Sequence, residues 1–316
     1  MAECLLTINQ SRHMMKTTDS LDQQARQAAQ SYMGEFAWPT VVLGVTVFIA
    51  YISTVILVAQ GQFPAWLGVL LVIPLTYASY TVLHEAAHGS ISGRHQSLRW
   101  LNELMGYLAG WVMMVPLTAH RHEHLAHHRN TNNPESDPDY HFAGMWRSPW
   151  QPIVATVRSL INQYRYYFTH RWQQGPRSQN VRLCLEVLCQ LVPRLAFVAQ
   201  GYWVEGAALF LVGGLGGVLL TMYLFAYLVH TPHEAEGRYL DTSTIIIPGR
   251  LGRVLTLAWG FQNYHSIHHL FPRVPFYRYC QVFDEIEDVM NAKGAPIYQL
   301  GSSGYGRYGT DKLRNL

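Results

Sequence analysis

The sequence predicts an all-α integral membrane helical bundle, with about four transmembrane helices in two hairpins beneath a helical cap. Three observations predict it. Of 316 residues, 49% are hydrophobic and only 14% charged, against about 25% charged in soluble domains. Three long runs carry no charge at all: Ala37 to Gln60, Phe63 to Leu83 and Gly206 to Val229. The histidines gather in three short groups, each just after an apolar run or in the polar segment beyond one.

Taken in order, residues 1–35 form a polar N-terminal segment without the apolar core of a cleaved signal peptide. Within it, Leu21, Ala25, Ala28, Ala29 and Tyr32 make a loose helical stripe. It reads as a solvated helix, with docking on a membrane surface as the alternative. A helix crosses the hydrocarbon core with about 20 residues, and each charge-free run is that long. A fourth span, Leu183 to Trp203, carries Glu186 and Arg194. A charge at mid-bilayer costs about 3 kcal/mol, so these two face protein inside the bundle or the span lies partly in the interface. After the third histidine group, Val282, Phe283, Ile286, Val289 and Met290 repeat at helical spacing and Gly294 stops the helix. Residues 36–299 form the membrane domain, and the Gly- and Ser-containing tail, 300–316, reads as flexible.

Lys and Arg set the orientation. None lies between Met33 and Leu83 or between Leu195 and Val229, whereas Arg94, Arg99, Arg121, Arg129, Arg250 and Arg273 crowd the segments that bear the histidines. By the positive-inside rule those segments, and both termini, are cytoplasmic. The net charge of +3 follows from this asymmetry, and no basic-aromatic pattern suggests nucleic acid.

The histidine groups carry the chemistry. All but one of 16 histidines lie between positions 84 and 269, and eight of them form the motifs His84-Glu-Ala-Ala-His88, His124-Leu-Ala-His127-His128 and His265-Ser-Ile-His268-His269. Eight imidazoles exceed the four ligands of a structural zinc. Residues three or four apart share a helix face, so His84 can grip one ion with His88, and His124 can pair with His127 or His128. Adjacent residues diverge by roughly 100°, so His127 and His128 point at different ions, as do His268 and His269. The pattern is that of a dinuclear site. Both ions need the first two groups on one side of the membrane. The run Leu98 to Leu117 between them is therefore two short helices, a re-entrant hairpin or an interfacial segment, with Gly106 and Gly110 allowing a break. Cys4, Cys184, Cys189 and Cys280 form no metal-type pair.

These motifs, in this order, resemble the membrane fatty acid desaturase superfamily, which includes carotenoid hydroxylases. The stretches are HEAAHGS (84–90), HLAHHRNTNNPESDPD (124–139) and NYHSIHHLFP (263–272). The resemblance covers about Ala37 to Lys293. It implies two iron ions, O2 as co-substrate and oxidation of lipids. It also implies His84, His88, His124, His127, His128, His265, His268 and His269 as ligands. Such proteins often add a histidine after the last span, where His230 and His233 both stand. Glu85, Glu123, Asp137, Asp139, Glu234, Asp241 and Asn263 are candidate partners of the imidazoles.

The expected reaction is introduction of a C=C bond into an acyl chain. β-Carotene ring hydroxylation is the alternative, and terminal oxidation of a fatty acid comes third. A metal-binding carrier is a reading of another class; it requires charged residues at mid-span, which the three cleanest runs lack. No iron–sulfur cysteine set, nucleotide fingerprint or haem module is present, so a separate ferredoxin or cytochrome is expected to deliver electrons. The glycines near 213–217 read as helix packing.

Overall fold

A computed structural model describes residues 19–301 and 304–307, and most of these are helical. Helix α1 covers residues 19–32 of that range. Helix α2 (Trp38–Ala59) has Pro39 in its first turn, where a missing N–H costs nothing. A turn through Gly61 leads to α3 (Ala65–His88), which ends at Gly89 with φ +68°. That left-handed residue stops the helix directly after His88. Together α2 and α3 form the first apolar hairpin.

The run between the first two histidine groups resolves into a doubling back. Helix α4 (Arg99–Met113) has only 15 residues, about 22 Å at 1.5 Å per residue, too short to span. Met114 turns with φ 58°, and α5 (Leu117–Asn130) follows. The turn is tight because Gly110 lacks a side chain; a Cβ there would stand 2.4 Å from the Val115 carbonyl oxygen. Thus α5 returns alongside α3, and the first and second histidine groups come together.

Helices α6 (Gln151–His170) and α7 (Arg177–Ala199) follow. The long α8 (Trp203–His230) is wound wide over Ala207–Gly213 and Met222–Tyr227. Among the described residues, α2, α3 and α8 are long and apolar enough to cross a membrane, at 22, 24 and 28 residues. The glycines of α8 do pack it against a neighbour: a Cβ on Gly217 would fall 2.4 Å from Thr76 of α3.

Helix α7 has the length of a span and keeps its two mid-helix charges, Glu186 and Arg194, inside the bundle. Glu186 accepts hydrogen bonds from the Thr118 amide and hydroxyl. Arg194 donates to the carbonyls of Gln190 (2.7 Å) and Trp111 (2.6 Å) and lies over the Trp111 ring. Its outer face is apolar, with Val181, Leu185, Leu188, Val192 and Leu195 exposed.

The C-terminal third closes over the histidines with β1 (Thr244–Ile246), α9 (Gly249–Ala258), α10 (His265–Leu270), α11 (Tyr279–Ala292), β2 (Ile297–Gly301) and β3 (Gly304–Arg307). Two expectations are corrected. The fold is not purely helical: β1 pairs parallel with β2, and β2 antiparallel with β3, so residues 304–307 of the expected tail belong to a small sheet. Its strands are three to five residues long, too short for an alternating pattern to announce them. Nor is α1 solvated. Ala25 and Ala29 are fully buried and pack, with Leu21, Ala28 and Tyr32, in the cluster that includes Ile267, Val282, Phe283 and Ile286. Cys4 lies outside the described residues.

Candidate metal centre

Five imidazoles converge in one group. His84 and His88 come from the last turns of α3, His124 and His128 from one face of α5, and His268 from α10. Each offers a ring nitrogen within 4.8 Å of the others. A second group holds His127 of α5, His230 at the end of α8 and His269 of α10 within the same limit. The adjacent pairs are split between the groups: His127 from His128, and His268 from His269. The groups touch where the His128 and His269 rings stack at 4.2 Å.

The contacts have the form of a metal site rather than a hydrogen-bond network. His124 Nε2 stands 2.9 Å from His88 Nε2 and 3.1 Å from His128 Nε2, and the latter is 2.9 Å from His268 Nε2. One ring nitrogen carries one hydrogen or one lone pair, so His124 and His128 cannot each satisfy two such neighbours. A cation between the lone pairs satisfies all of them. Both ring nitrogens of His84 are buried without a partner, which otherwise costs about 1–3 kcal/mol per group. In the second group, His230 Nε2 lies 3.2 Å from His127 Nε2 and 3.3 Å from His269 Nε2.

Electrostatics favour neutral rings. Burial, reinforced by neighbouring imidazoles, holds His124, His128, His268 and His269 well below the ordinary histidine range. The neutral ring is the one that binds metal. His127 differs. Burial pulls it down, but Asp137, with Asp139 and Asp241, outweighs burial and holds it up to about 9. His127 Nδ1–H donates to Asp137 Oδ1 at 2.9 Å, and Asp137 is fixed in turn by the amides of Asn132 and Asp139. In this carboxylate–histidine pair Asp137 keeps the proton on Nδ1, and a metal would displace the proton from Nε2 to bind there.

The remaining candidates are placed as follows. His265 packs against the His269, His230 and His268 rings but falls in neither group, and its Nδ1–H donates to Gln262 Oε1 at 2.8 Å. Of His230 and His233, only His230 joins a group. His233 turns its Nε2 to the Tyr227 carbonyl at 3.1 Å. Glu85 instead accepts from Thr40 and from the Phe276 amide (2.6 Å), tying α2, α3 and the segment before α11. Asn263 donates to the Ile245 carbonyl and Thr256. Glu123 lies near His120, whose ring stacks on His124.

Sequence reasoning missed three partners: Gln262, Tyr279, whose hydroxyl stands 3.0 Å from His268 Nδ1, and Thr131, 3.4 Å from His269 Nδ1. Gln262 and Thr131 stand within three residues of a motif histidine, a signal that could have found them; Tyr279 is eleven residues from its partner and carried none. Two clefts reach the centre. One, of about 290 Å³, opens at His128 and His269; the other, of about 500 Å³, opens at His88.

Comparison with known proteins gives the same direction. A family model described as fatty acid desaturase matches residues 61–301. An sn-1 acyl-lipid omega-3 desaturase (ferredoxin) of Nostoc is 34% identical over 68% of this chain and 65% of its own. An sn-1 oleoyl-lipid 12-desaturase of Picosynechococcus is 25% identical over 79% of this chain and 76% of its own. A Δ9 fatty acid conjugase-like enzyme of Dimorphotheca sinuata is 25% identical over 68% and 67%. Across such relatives the matched region spans 53% to 76% of their length.

Proposed function

The chain belongs to the fatty acid desaturase family, and from that premise we propose that it is a membrane-bound, O2-dependent oxidoreductase that introduces a C=C bond into a lipid-borne acyl chain. The overall reaction takes an acyl CH2–CH2 unit, O2, two electrons and two protons to CH=CH and two waters. The observation that carries the reading is the meeting of two imidazole groups at the ends of apolar helices.

Two iron ions fit this donor set. All the donors are imidazole nitrogens, no cysteine joins them, and zinc has no redox chemistry to offer. The five-histidine group would hold one ion. The other would rest on His127, His230 and His269, with His265 beside it as a further nitrogen. Bound iron would activate O2, the oxidant that attack on an unactivated C–H bond demands. The protein's own part is positional. Asp137 holds the proton of His127 on Nδ1, Gln262 does the same for His265, and Tyr279 orients His268. Closely packed helices and α11 keep bulk water from His84, His124, His127, His230, His265 and His268, all of which are buried. We place the histidine-bearing side in the cytoplasm, with α7 as a fourth span whose charges are answered within the bundle. Residues 36–299 act as one unit. Electrons come from a separate donor of ferredoxin type, the donor printed in the name of the Nostoc relative.

The test is expression with a ferredoxin and its reductase, followed by lipid analysis. New acyl double bonds and about two irons per chain are expected. A hydroxylated carotenoid with unchanged acyl chains would replace the reading with ring hydroxylation. Bound zinc and no oxygen consumption would replace it with a metal-binding protein.

A further inference from the structure

The cleft at His88 is lined by more arginines than acids. It is concave, about 500 Å³ in volume, and four arginines line it: Arg94, Arg99, Arg121 and Arg273. One acid, Glu103, faces them. It is engaged by Arg121 at 2.8 Å and by Arg182, outside the cleft, at 3.4 Å. Among the described residues no carboxylate pairs with Arg94, Arg99 or Arg273, and all three are exposed. The cleft therefore carries an unanswered positive charge directly above a candidate ligand of the metal centre.

Its level in the fold identifies the source of the anion. The Ala37 amide at the start of α2 bonds the Ile91 carbonyl just past the end of α3, and the Arg94 amide bonds the Gly34 carbonyl. The cleft thus lies at the ends of the two apolar helices, opposite their connecting turn. Trp38 and Trp100, next to it in the chain, are 62% and 58% exposed. Exposed tryptophans at helix ends mark the headgroup level of a bilayer.

We propose that this cleft binds the phosphate of an anionic glycerophospholipid through Arg94, Arg99 and Arg273. Planar guanidinium forks match phosphate oxygens. A lipid held there would rest its headgroup beside His88 and turn its acyl chains toward the bilayer. The acyl chain's fate rests on the desaturase reading; the headgroup contact does not. A concave pocket of this size suits a headgroup better than a flat face of an acidic protein.

The test uses the full chain in nanodiscs of phosphatidylcholine with and without phosphatidylglycerol, and reads retained lipid by native mass spectrometry. Phosphatidylglycerol should be retained preferentially. Arg94→Gln, Arg99→Gln and Arg273→Gln should each weaken retention about fivefold, and the triple variant by about a hundredfold, on the scale of one interfacial cation per step. Arg165→Gln, on another face, should leave it unchanged. Equal retention of both lipids, or a triple variant that retains phosphatidylglycerol normally, overturns the proposal. So does full displacement by inorganic phosphate, which would mark a site for a soluble anion. A triple variant that loses only an acidic electron-donor protein would mark a protein-docking face instead. Because the readout needs neither iron nor turnover, a chain that retains the lipid yet makes no double bonds would fail the functional reading alone.

Discussion

The two imidazole groups share the second and third motifs yet are built differently. The first has five histidines and no carboxylate on any of their ring nitrogens; its outer support is the Tyr279 hydroxyl on His268. The second has three histidines, and one of them, His127, is gripped by Asp137. Many neutral nitrogens make a saturated, rigid site. Fewer nitrogens backed by a carboxylate make a site whose ligand is more basic and whose coordination has room. The difference teaches that adjacent histidines on one helix can serve unlike environments: His127 and His128 share a backbone but not a charge field.

The sharpest way to break this comparison is to remove one ring from each group. His128→Ala and His269→Ala should each bring lipid oxidation to background and cost more metal affinity than the roughly 10–100-fold that follows from losing an outer partner. Metal analysis should show one iron lost before the other. Full metal content and activity in either variant would dissolve the two-group assignment. Asp137→Asn comes next. It should weaken metal at the second group by about 10–100-fold and leave the first filled, measured by chelator titration of the two irons; an equal effect on both would mean the groups are not separate. Tyr279→Phe should have the smallest effect. It removes one hydrogen bond of about 1 kcal/mol, so the first group should lose about fivefold in affinity in the same titration, with the second unaffected.

Much of the site could be read before any coordinates. The spacing of His124 and His128 on one helical face, and the divergence of His127 and His268 from their neighbours, follow from 3.6 residues per turn. The stripe of α11 was equally plain, with all five expected residues buried. What stayed hidden depends on distance along the chain. Tyr279, eleven residues from His268, is an ordinary polar residue until α11 packs against α10 and brings it there. Helix α1 looked solvated because its stripe is mostly alanine, too small to signal burial until a partner surface is known.

By itself the sequence determined the three long apolar helices and the three histidine motifs. Those depend on local periodicity and on hydropathy. Only the tertiary structure decided that His230 rather than His233 joins a group, that His265 stands beside the groups, and that Glu85 braces helices instead of an imidazole. Each of these turns on where a side chain points after non-adjacent segments have packed. No spacing rule along the chain encodes those directions.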